Sequence, residues 1–340
     1  EECHNEWEIT FEEIHRNGAI AFAIFNYQRY TGDFSYTLKK GIEVLIAIAR
    51  FWAQRFNYST EKQSYVMLGV TGPNEYENNV NNNFYTNYLA KWCFEFTIET
   101  LNKIELEHPK KYQQVIEVTS ISKDEIEQMH QISTNIYLPF SKEHNVYLQQ
   151  DGFLDKALIP VAKLDAKERP INQKWSWDRI LRSPYIKQAD TLQTFYFFED
   201  HFTPKQLQEH FDFYEPLTVH ESSLSPCVHS IQAAQTSRLD LDDYNQEVHE
   251  GLHITSMAGT WMSIVEGFGG MRVHNNTLSF TPQIPTQWDV YSFKVNFRGY
   301  VVKVNVTNLQ TTFELEGNVA LDIIVNERPL TINPKILVAV

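Results

Sequence analysis

A carboxylate beside a tight turn is the first feature of this sequence that could carry out chemistry. Residues 70–83 read Val-Thr-Gly-Pro-Asn-Glu-Tyr-Glu-Asn-Asn-Val-Asn-Asn-Asn, which places Glu75 just after a Gly-Pro pair. Protonation of the leaving oxygen in glycoside chemistry requires a carboxylic acid, and asparagine side chains both donate to and accept from sugar hydroxyls. By composition alone, a solvated turn with a surface glutamate is the favoured alternative.

Helical patterns lie on both sides of this loop. Residues 12–30 are apolar on nearly every side, which indicates a helix that is buried on most of its surface. Residues 37–56 repeat apolar side chains at three- and four-residue spacing, and residues 122–137 begin with a capping-box pattern. Further helical patterns cover residues 84–106, 188–201, 204–213, 226–234, 241–250 and 257–267. The recurring pairs of helices favour a two-layered helical barrel.

The last part of the chain changes to strand patterns. After residues 269–270, a Gly-Gly pair, valines alternate with polar residues over 300–306, and residues 290–297 and 319–325 are also rich in strand formers. Turn signals lie at residues 298–299 and 316–318. We therefore predict a mainly α protein with a helical domain over residues 1–269, followed by a small antiparallel β domain over residues 270–340.

Composition narrows the possible partners. The formal net charge of −14 argues against nucleic acid, whose binding surfaces need clustered lysine and arginine. The longest apolar stretch, residues 19–25, is too short to cross a membrane. Three widely spaced cysteines form neither a disulfide framework nor a metal-ligand pattern. These features predict a cytoplasmic protein in a reducing compartment that acts on a neutral small substrate.

Five segments occur in an order that resembles glycoside hydrolase family 65, a family that includes disaccharide phosphorylases. Besides residues 70–83, they are 12–17 (EEIHRN), 180–190 (ILRSPYIKQAD), 220–225 (HESSLS) and 251–259 (GLHITSMAG). Residues 278–282 (LSFTP) are similar to the family's C-terminal module. The resemblance implies an (α/α)6 barrel, of which residues 1–269 are the C-terminal part, between an N-terminal β-sandwich and a C-terminal β-sandwich domain.

The resemblance also implies roles for individual residues. Glu75 corresponds to the general acid, and Lys187 and Gln188 correspond to groups that hold the non-reducing glucose. His4 and Glu6 lie in a segment that resembles the loop contacting the leaving sugar. The amino-acid sequence of this segment is similar to that of maltose-specific members. The family's Trp-Asp pair, which also holds the glucose, would lie upstream of Glu1, and the chain lacks an initiator Met. We therefore expect an N-terminal half that is missing from this sequence.

The residue type at position 253 indicates whether phosphate or water is the nucleophile. Related inverting hydrolases with this barrel place a second carboxylate near this point, as the base that activates water. Phosphate is already an anion and needs no base, whereas a carboxylate would repel it and a histidine, hydroxyls and backbone N–H groups would hold it. The predicted phosphate-binding residues are Ser222, Ser223, His253, Ser256 and Gly259. As alternatives, His253 is a core histidine, and the serine pair caps the helix that follows.

The expected reaction is the inverting phosphorolysis of an α-glucosyl disaccharide, with maltose as the first candidate, to β-glucose 1-phosphate and a free sugar. The resemblance implies no metal and no organic cofactor, and relatives are often homodimers. The alternatives are a kojibiose or trehalose phosphorylase, a trehalose hydrolase, and an inactive sugar-binding fragment. A carboxylate at position 253 would have favoured the hydrolase.

Overall fold

A computed structural model describes residues 9–235, 254–334 and 336–339 of the chain. It divides into two compact units, of which the first comprises Glu1–Phe25, Phe34–Glu199 and Pro204–Glu221. The second comprises Asn26–Asp33, Asp200–Thr203 and Ser222–Val340. His4, Glu6, His253 and the helix predicted over residues 241–250 lie outside the described residues.

Helices dominate the first unit, as the spacing of apolar residues predicts. Ser122 and Glu125 form the predicted capping box, with both reciprocal hydrogen bonds present. The helices that lie wholly or mainly in this unit are α1 Ile9–Glu12, α2 His15–Thr31, α3 Ile42–Arg55, α4 Phe84–Glu107, α5 Pro109–Thr119, α6 Lys123–Thr134, α7 Ile171–Lys174, α8 Trp177–Leu181, α9 Thr191–Phe197 and α10 Pro204–Tyr214. Two short antiparallel pairs accompany them: β1 Phe56–Ser59 with β2 Ser64–Met67, and β3 Phe140–Ser141 with β4 Val146–Tyr147.

Aromatic packing joins the helices of the first unit. Phe22 of α2 stacks on Phe197 of α9 with ring centroids 4.0 Å apart, and its edge meets Trp92 of α4. Such aromatic contacts stabilise a core beyond their buried area. The prediction that α2 is buried on most sides is wrong for one face, since Ile20 is 51% exposed while Ala21, Phe22 and Ile24 are buried.

In its described residues, the second unit combines two α-helices and the end of α2 with two four-stranded sheets. Helix α11 spans Ser225–Gln235 and α12 spans Ile254–Met262. The strands are β5 Arg272–His274, β6 Thr277–Phe280, β7 Val290–Phe297, β8 Tyr300–Thr307, β9 Thr311–Glu316, β10 Leu321–Val325, β11 Arg328–Ile332 and β12 Val338–Ala339. One sheet has the strand order β11-β10-β6-β5 and the other β12-β9-β8-β7.

The alternating valines behave as predicted. Val302, Val304 and Val306 of β8 are buried within one apolar core that both sheets share. Pairing is antiparallel except between β6 and β10, which run parallel. That pair is parallel because the chain leaves β6 to build the β7–β9 meander and then returns beside β6, a crossover that hairpin signals do not reveal.

Within the residues that the structure describes, no helix is both long enough and apolar enough to span a lipid bilayer.

Candidate active site

The loop at residues 70–83 is mostly buried, although Asn79 and Asn81 are exposed, so it is not the solvated turn that composition allowed. Asn74, Asn82 and Asn83 are each 1% exposed. Val70 and Val80 close the base of the loop through two backbone hydrogen bonds of 2.9 and 2.8 Å. The loop therefore presents Glu75 from a fixed backbone.

The end of α1 and the start of α2 hold one side of this loop. A carboxylate oxygen of Glu12 accepts hydrogen bonds from the Thr71 hydroxyl and the Asn79 backbone N–H, both at 2.7 Å. Nδ1 of His15 lies 3.2 Å from the Thr71 carbonyl oxygen. Burial lowers the pKa of His15 to about 4, so the neutral ring is the donor in this bond. Both contacts fall in the motif at residues 12–17, but neither role was predicted from sequence.

Residues 185–190 hold the other side. The Asn74 side-chain oxygen accepts from the Lys187 backbone N–H at 2.9 Å, and its amide group donates to the Tyr185 carbonyl at 3.4 Å. The Gln188 side chain donates to the Pro73 carbonyl at 2.8 Å. The Gln188 side chain is thus occupied in binding the loop, and α9 begins at Thr191 and not at residue 188 as predicted.

Glu75 and Lys187 meet at the centre of this arrangement. The Lys187 ammonium donates to a Glu75 carboxylate oxygen at 2.5 Å, and the two side chains are 22% and 25% exposed, respectively. Glu13 lies near this pair: burial raises its pKa, the Glu75 charge adds to that rise, and Arg16 and Lys187 oppose it. The structure therefore brings the predicted acid and one predicted sugar-binding residue together at a place that solvent reaches.

Tyr76, the residue that follows the acid, is buried in the protein. Its hydroxyl donates to a Glu221 oxygen at 2.5 Å, and the other Glu221 oxygen accepts from the Ile171 N–H at 2.6 Å. Burial, and then the bond to Glu221, raise the pKa of Tyr76, which keeps it a neutral phenol at ordinary pH. The two neighbouring side chains thus have different partners: Tyr76 binds Glu221 inside the protein, and Glu75 binds Lys187.

The predicted phosphate-binding residues are described only in part. Ser222 and Ser223 are half-buried, and the Ser222 hydroxyl accepts from the Leu224 N–H at 3.3 Å just before α11, a local turn that fits the helix-start alternative. Gly259 lies inside α12, where an added Cβ would stand 2.9 Å from the Cys227 Cβ, so the glycine permits close helix packing. Ser256 belongs to α12, but its side chain is outside the described residues. The phosphate roles of these residues stay predictions.

A fully buried acid, Asp190, has a consequence for stability that can be measured. Burial raises its pKa to about 7, against an ordinary value of 3.8. The folded protein therefore keeps this proton while the unfolded chain loses it, so the stability that Asp190 contributes falls as pH rises from about 4 to about 7. The difference between the two pKa values corresponds to about 4 kcal/mol.

We accordingly expect Asp190→Asn to gain stability relative to the unmodified protein as pH rises through that window, because asparagine does not ionise. Urea unfolding of both proteins at several pH values between 4 and 7.5 measures the difference. A difference in the free energy of unfolding that stays constant with pH would show that Asp190 ionises normally.

Comparison with known proteins identifies the family. A profile described as "Glycosyl hydrolase family 65 central catalytic domain" matches residues 1–262, and one described as "Glycosyl hydrolase family 65, C-terminal domain" matches residues 271–332. Maltose phosphorylase of Bacillus subtilis is 52% identical over 98% of the chain, and α,α-trehalose phosphorylase of Thermoanaerobacter brockii is 37% identical over 92%. The matches cover 45% and 42% of those two proteins, so the chain spans under half of their length.

A solved structure agrees with the sequence relatives. A putative kojibiose phosphorylase from human microbiome superposes with a TM-score of 0.90 at 32% identity, over all of this chain and 52% of that one. The fold class predicted from sequence, mainly α with part of an (α/α)6 barrel followed by a small antiparallel β-sandwich domain, is confirmed, with the β6–β10 pair as its one parallel pairing among the described strands. With both profiles matched in order, this chain belongs to glycoside hydrolase family 65.

Proposed function

We propose that this chain carries the acid catalyst of an inverting disaccharide phosphorylase that converts maltose and phosphate to β-glucose 1-phosphate and glucose. The observation that supports it most is the Glu75–Lys187 pair, in which the Glu75 carboxylate, on a loop held from two sides, lies 2.5 Å from the Lys187 ammonium. Fixed geometry of this kind is what general acid catalysis requires, since the donor must lie within hydrogen-bond reach of the leaving oxygen.

In the proposed reaction, a phosphate oxygen attacks the anomeric carbon of the non-reducing glucose from the face opposite Glu75. The bond between that carbon and the bridging oxygen breaks, and the Glu75 proton passes to this oxygen as the second sugar leaves. Lys187 has three N–H donors, so sugar hydroxyls that bind it replace its contact with Glu75. The carboxylate regains a proton from solvent before the next turnover.

We propose maltose ahead of other disaccharides because the sequence of this chain is more similar to a maltose phosphorylase than to a trehalose or a kojibiose phosphorylase. The Bacillus subtilis maltose phosphorylase is 52% identical, whereas the trehalose phosphorylase above is 37% and a kojibiose phosphorylase of Halothermothrix orenii is 33% identical. His4 and Glu6, proposed to contact the leaving sugar, lie outside the described residues. We also propose that no metal or organic cofactor takes part, because acid catalysis and an anionic nucleophile are sufficient for this reaction.

Product analysis tests the proposal and its alternatives. The whole polypeptide that contains this chain is incubated with maltose, kojibiose or trehalose, each with and without phosphate, and glucose and glucose 1-phosphate are measured separately. We expect phosphate-dependent glucose 1-phosphate from maltose. Turnover of only kojibiose or trehalose would assign another phosphorylase, glucose release without phosphate would indicate a hydrolase, and no turnover would indicate an inactive sugar-binding protein. The same material, analysed by size, tests for the homodimer that the family resemblance implies.

His253→Glu tests whether phosphate or water is the nucleophile. We expect the apparent KM for phosphate to rise by about 10-fold or more, because a carboxylate repels the anion in a site of low dielectric constant. We also expect some hydrolysis, since the new carboxylate acts as a base for water. An initial-rate series in phosphate with both product assays measures this. A loss of rate with unchanged phosphate dependence and no excess glucose would assign His253 a structural role.

A further inference from the structure

We propose that Asp190 is a positioning residue for Glu75: its buried carboxylate fixes the backbone of the acid-bearing turn so that the acid reaches the leaving oxygen. The proposal rests on the function proposed above. It concerns a residue that touches the turn and is too deeply buried, at 2% exposure, to touch a substrate.

The first contact is with the residue immediately before the acid. One oxygen of Asp190 accepts the Asn74 backbone N–H at 3.0 Å. Above its raised pKa of about 7, and so at pH 8, Asp190 is ionised. A charge-assisted hydrogen bond from a backbone N–H to a carboxylate is stronger than a neutral one and sets the orientation of that peptide. Because the next residue in the chain is Glu75, the Asn74 peptide fixes where the Glu75 side chain begins.

The second contact anchors Asp190 to a long helix. Its other oxygen accepts from the Asn83 side-chain amide at 2.9 Å, and the Asn83 oxygen in turn accepts the Thr86 N–H at 2.8 Å. Asn83 is the N-cap of α4, a helix of 24 residues. The carboxylate thus links the turn at residues 72–75 to the start of α4, a long helix of the first unit.

Gly72 shows how closely the turn is packed on this carboxylate. An added Cβ at Gly72 would lie 2.2 Å from an Asp190 oxygen and 2.4 Å from the Asn83 amide nitrogen. No side chain fits such a gap unless the Asp190–Asn83 pair moves. The turn and the carboxylate are therefore packed as one unit, and a change in either displaces the other.

These contacts predict a specific kinetic effect. Asparagine at position 190 keeps one acceptor oxygen, but its NH2 group faces either the Asn74 N–H or the Asn83 amide, where an acceptor is needed. The turn then shifts, and a displacement of about 1 Å in a reacting group costs on the order of 10²-fold in rate. Neither of these two bonds ends on Lys187 or Gln188, but the Asn74 side chain accepts from the Lys187 N–H, so a small rise in KM is expected beside the larger loss in kcat.

The test compares two substrates on the whole polypeptide at pH 8: maltose, and α-glucosyl fluoride, whose fluoride leaves with little help from an acid. We expect Asp190→Asn to lower kcat for phosphorolysis of maltose by about 10- to 100-fold while the rate with α-glucosyl fluoride changes by less than about threefold. Asp151→Asn is the control, since Asp151 also accepts from a loop asparagine at 2.7 Å, but that asparagine, Asn82, is not next to Glu75 in the chain. It should leave both rates unchanged.

Equal losses with both substrates, or no loss with maltose, would overturn the positioning role. If Asp190→Asn fails to fold by circular dichroism, Gly72→Ala replaces it, because the added methyl displaces the same pair while keeping the carboxylate. It must then show the same difference between the two substrates. Absence of phosphorolysis in the unmodified protein would instead contradict the proposed function, which separates the two failures.

Discussion

Glu75→Gln is expected to lower the rate of maltose phosphorolysis by about 10²- to 10⁴-fold, the usual cost of losing a general acid. Glutamine has nearly the same shape and can still meet the Lys187 ammonium through its oxygen, but it has no acidic proton for the leaving oxygen. Binding should therefore change little, and the loss should fall on kcat. Initial rates over a series of maltose concentrations measure both quantities.

The control for this variant is again a second substrate, whose leaving group differs from that of maltose. α-Glucosyl fluoride needs little protonation, so Glu75→Gln should retain most of its phosphorolysis of that substrate. A variant that turned over maltose at close to the unmodified rate would remove Glu75 from the role of acid. Parallel loss on both substrates would mean that the substitution disturbs the site in general.

Lys156→Met is expected to reduce the free energy of unfolding by about 3–5 kcal/mol at pH 7, the usual cost of leaving one member of a buried ion pair alone. Lys156 pairs with Glu77, whose side chain is 5% exposed and which follows the acid by two residues. Burial raises the Glu77 pKa and Lys156 lowers it. Without the lysine the carboxylate favours its protonated form, so the loss should be smaller at pH 5 than at pH 8.

A double variant separates the interaction energy of the Glu77–Lys156 pair from the contacts that each residue makes with the rest of the protein. Glu77→Gln together with Lys156→Met removes both charges, and we expect it to be more stable than Lys156→Met alone, since no uncompensated charge stays buried. Chemical denaturation of the unmodified protein, both single variants and the double variant completes the cycle. Additive effects of the two substitutions would show that the pair contributes nothing as a pair.

Features that depend on local pattern were predicted well. The capping box at Ser122 and Glu125 needs only four consecutive residues, and the valines of β8 need only an alternation of period two. The loop at residues 70–83 was found because a carboxylate, a Gly-Pro pair and six asparagines in so short a stretch are unusual. Assigning the acid to Glu75 depended on the family resemblance.

The asparagines show where sequence reasoning was incomplete. Their amides were expected to meet sugar hydroxyls, yet Asn74 and Asn83 make hydrogen bonds inside the protein, Asn74 to Lys187 and Asn83 to Asp190, more than 100 residues away. Residue type states that a side chain donates and accepts, but only the tertiary fold decides its partners. For the same reason nothing local distinguished Asp190 as buried, nor Glu221 as the acceptor for Tyr76.

The anomeric form of the first product tests the central claim most directly. Proton NMR follows maltose and phosphate with the unmodified protein from the first minutes, before the products equilibrate. Attack by phosphate on the face opposite Glu75 predicts β-glucose 1-phosphate as the initial product, with an equal amount of glucose, and almost none of either with Glu75→Gln. α-Glucose 1-phosphate as the initial product, or glucose alone at twice the maltose consumed, would contradict an inverting phosphorolysis with Glu75 as its acid.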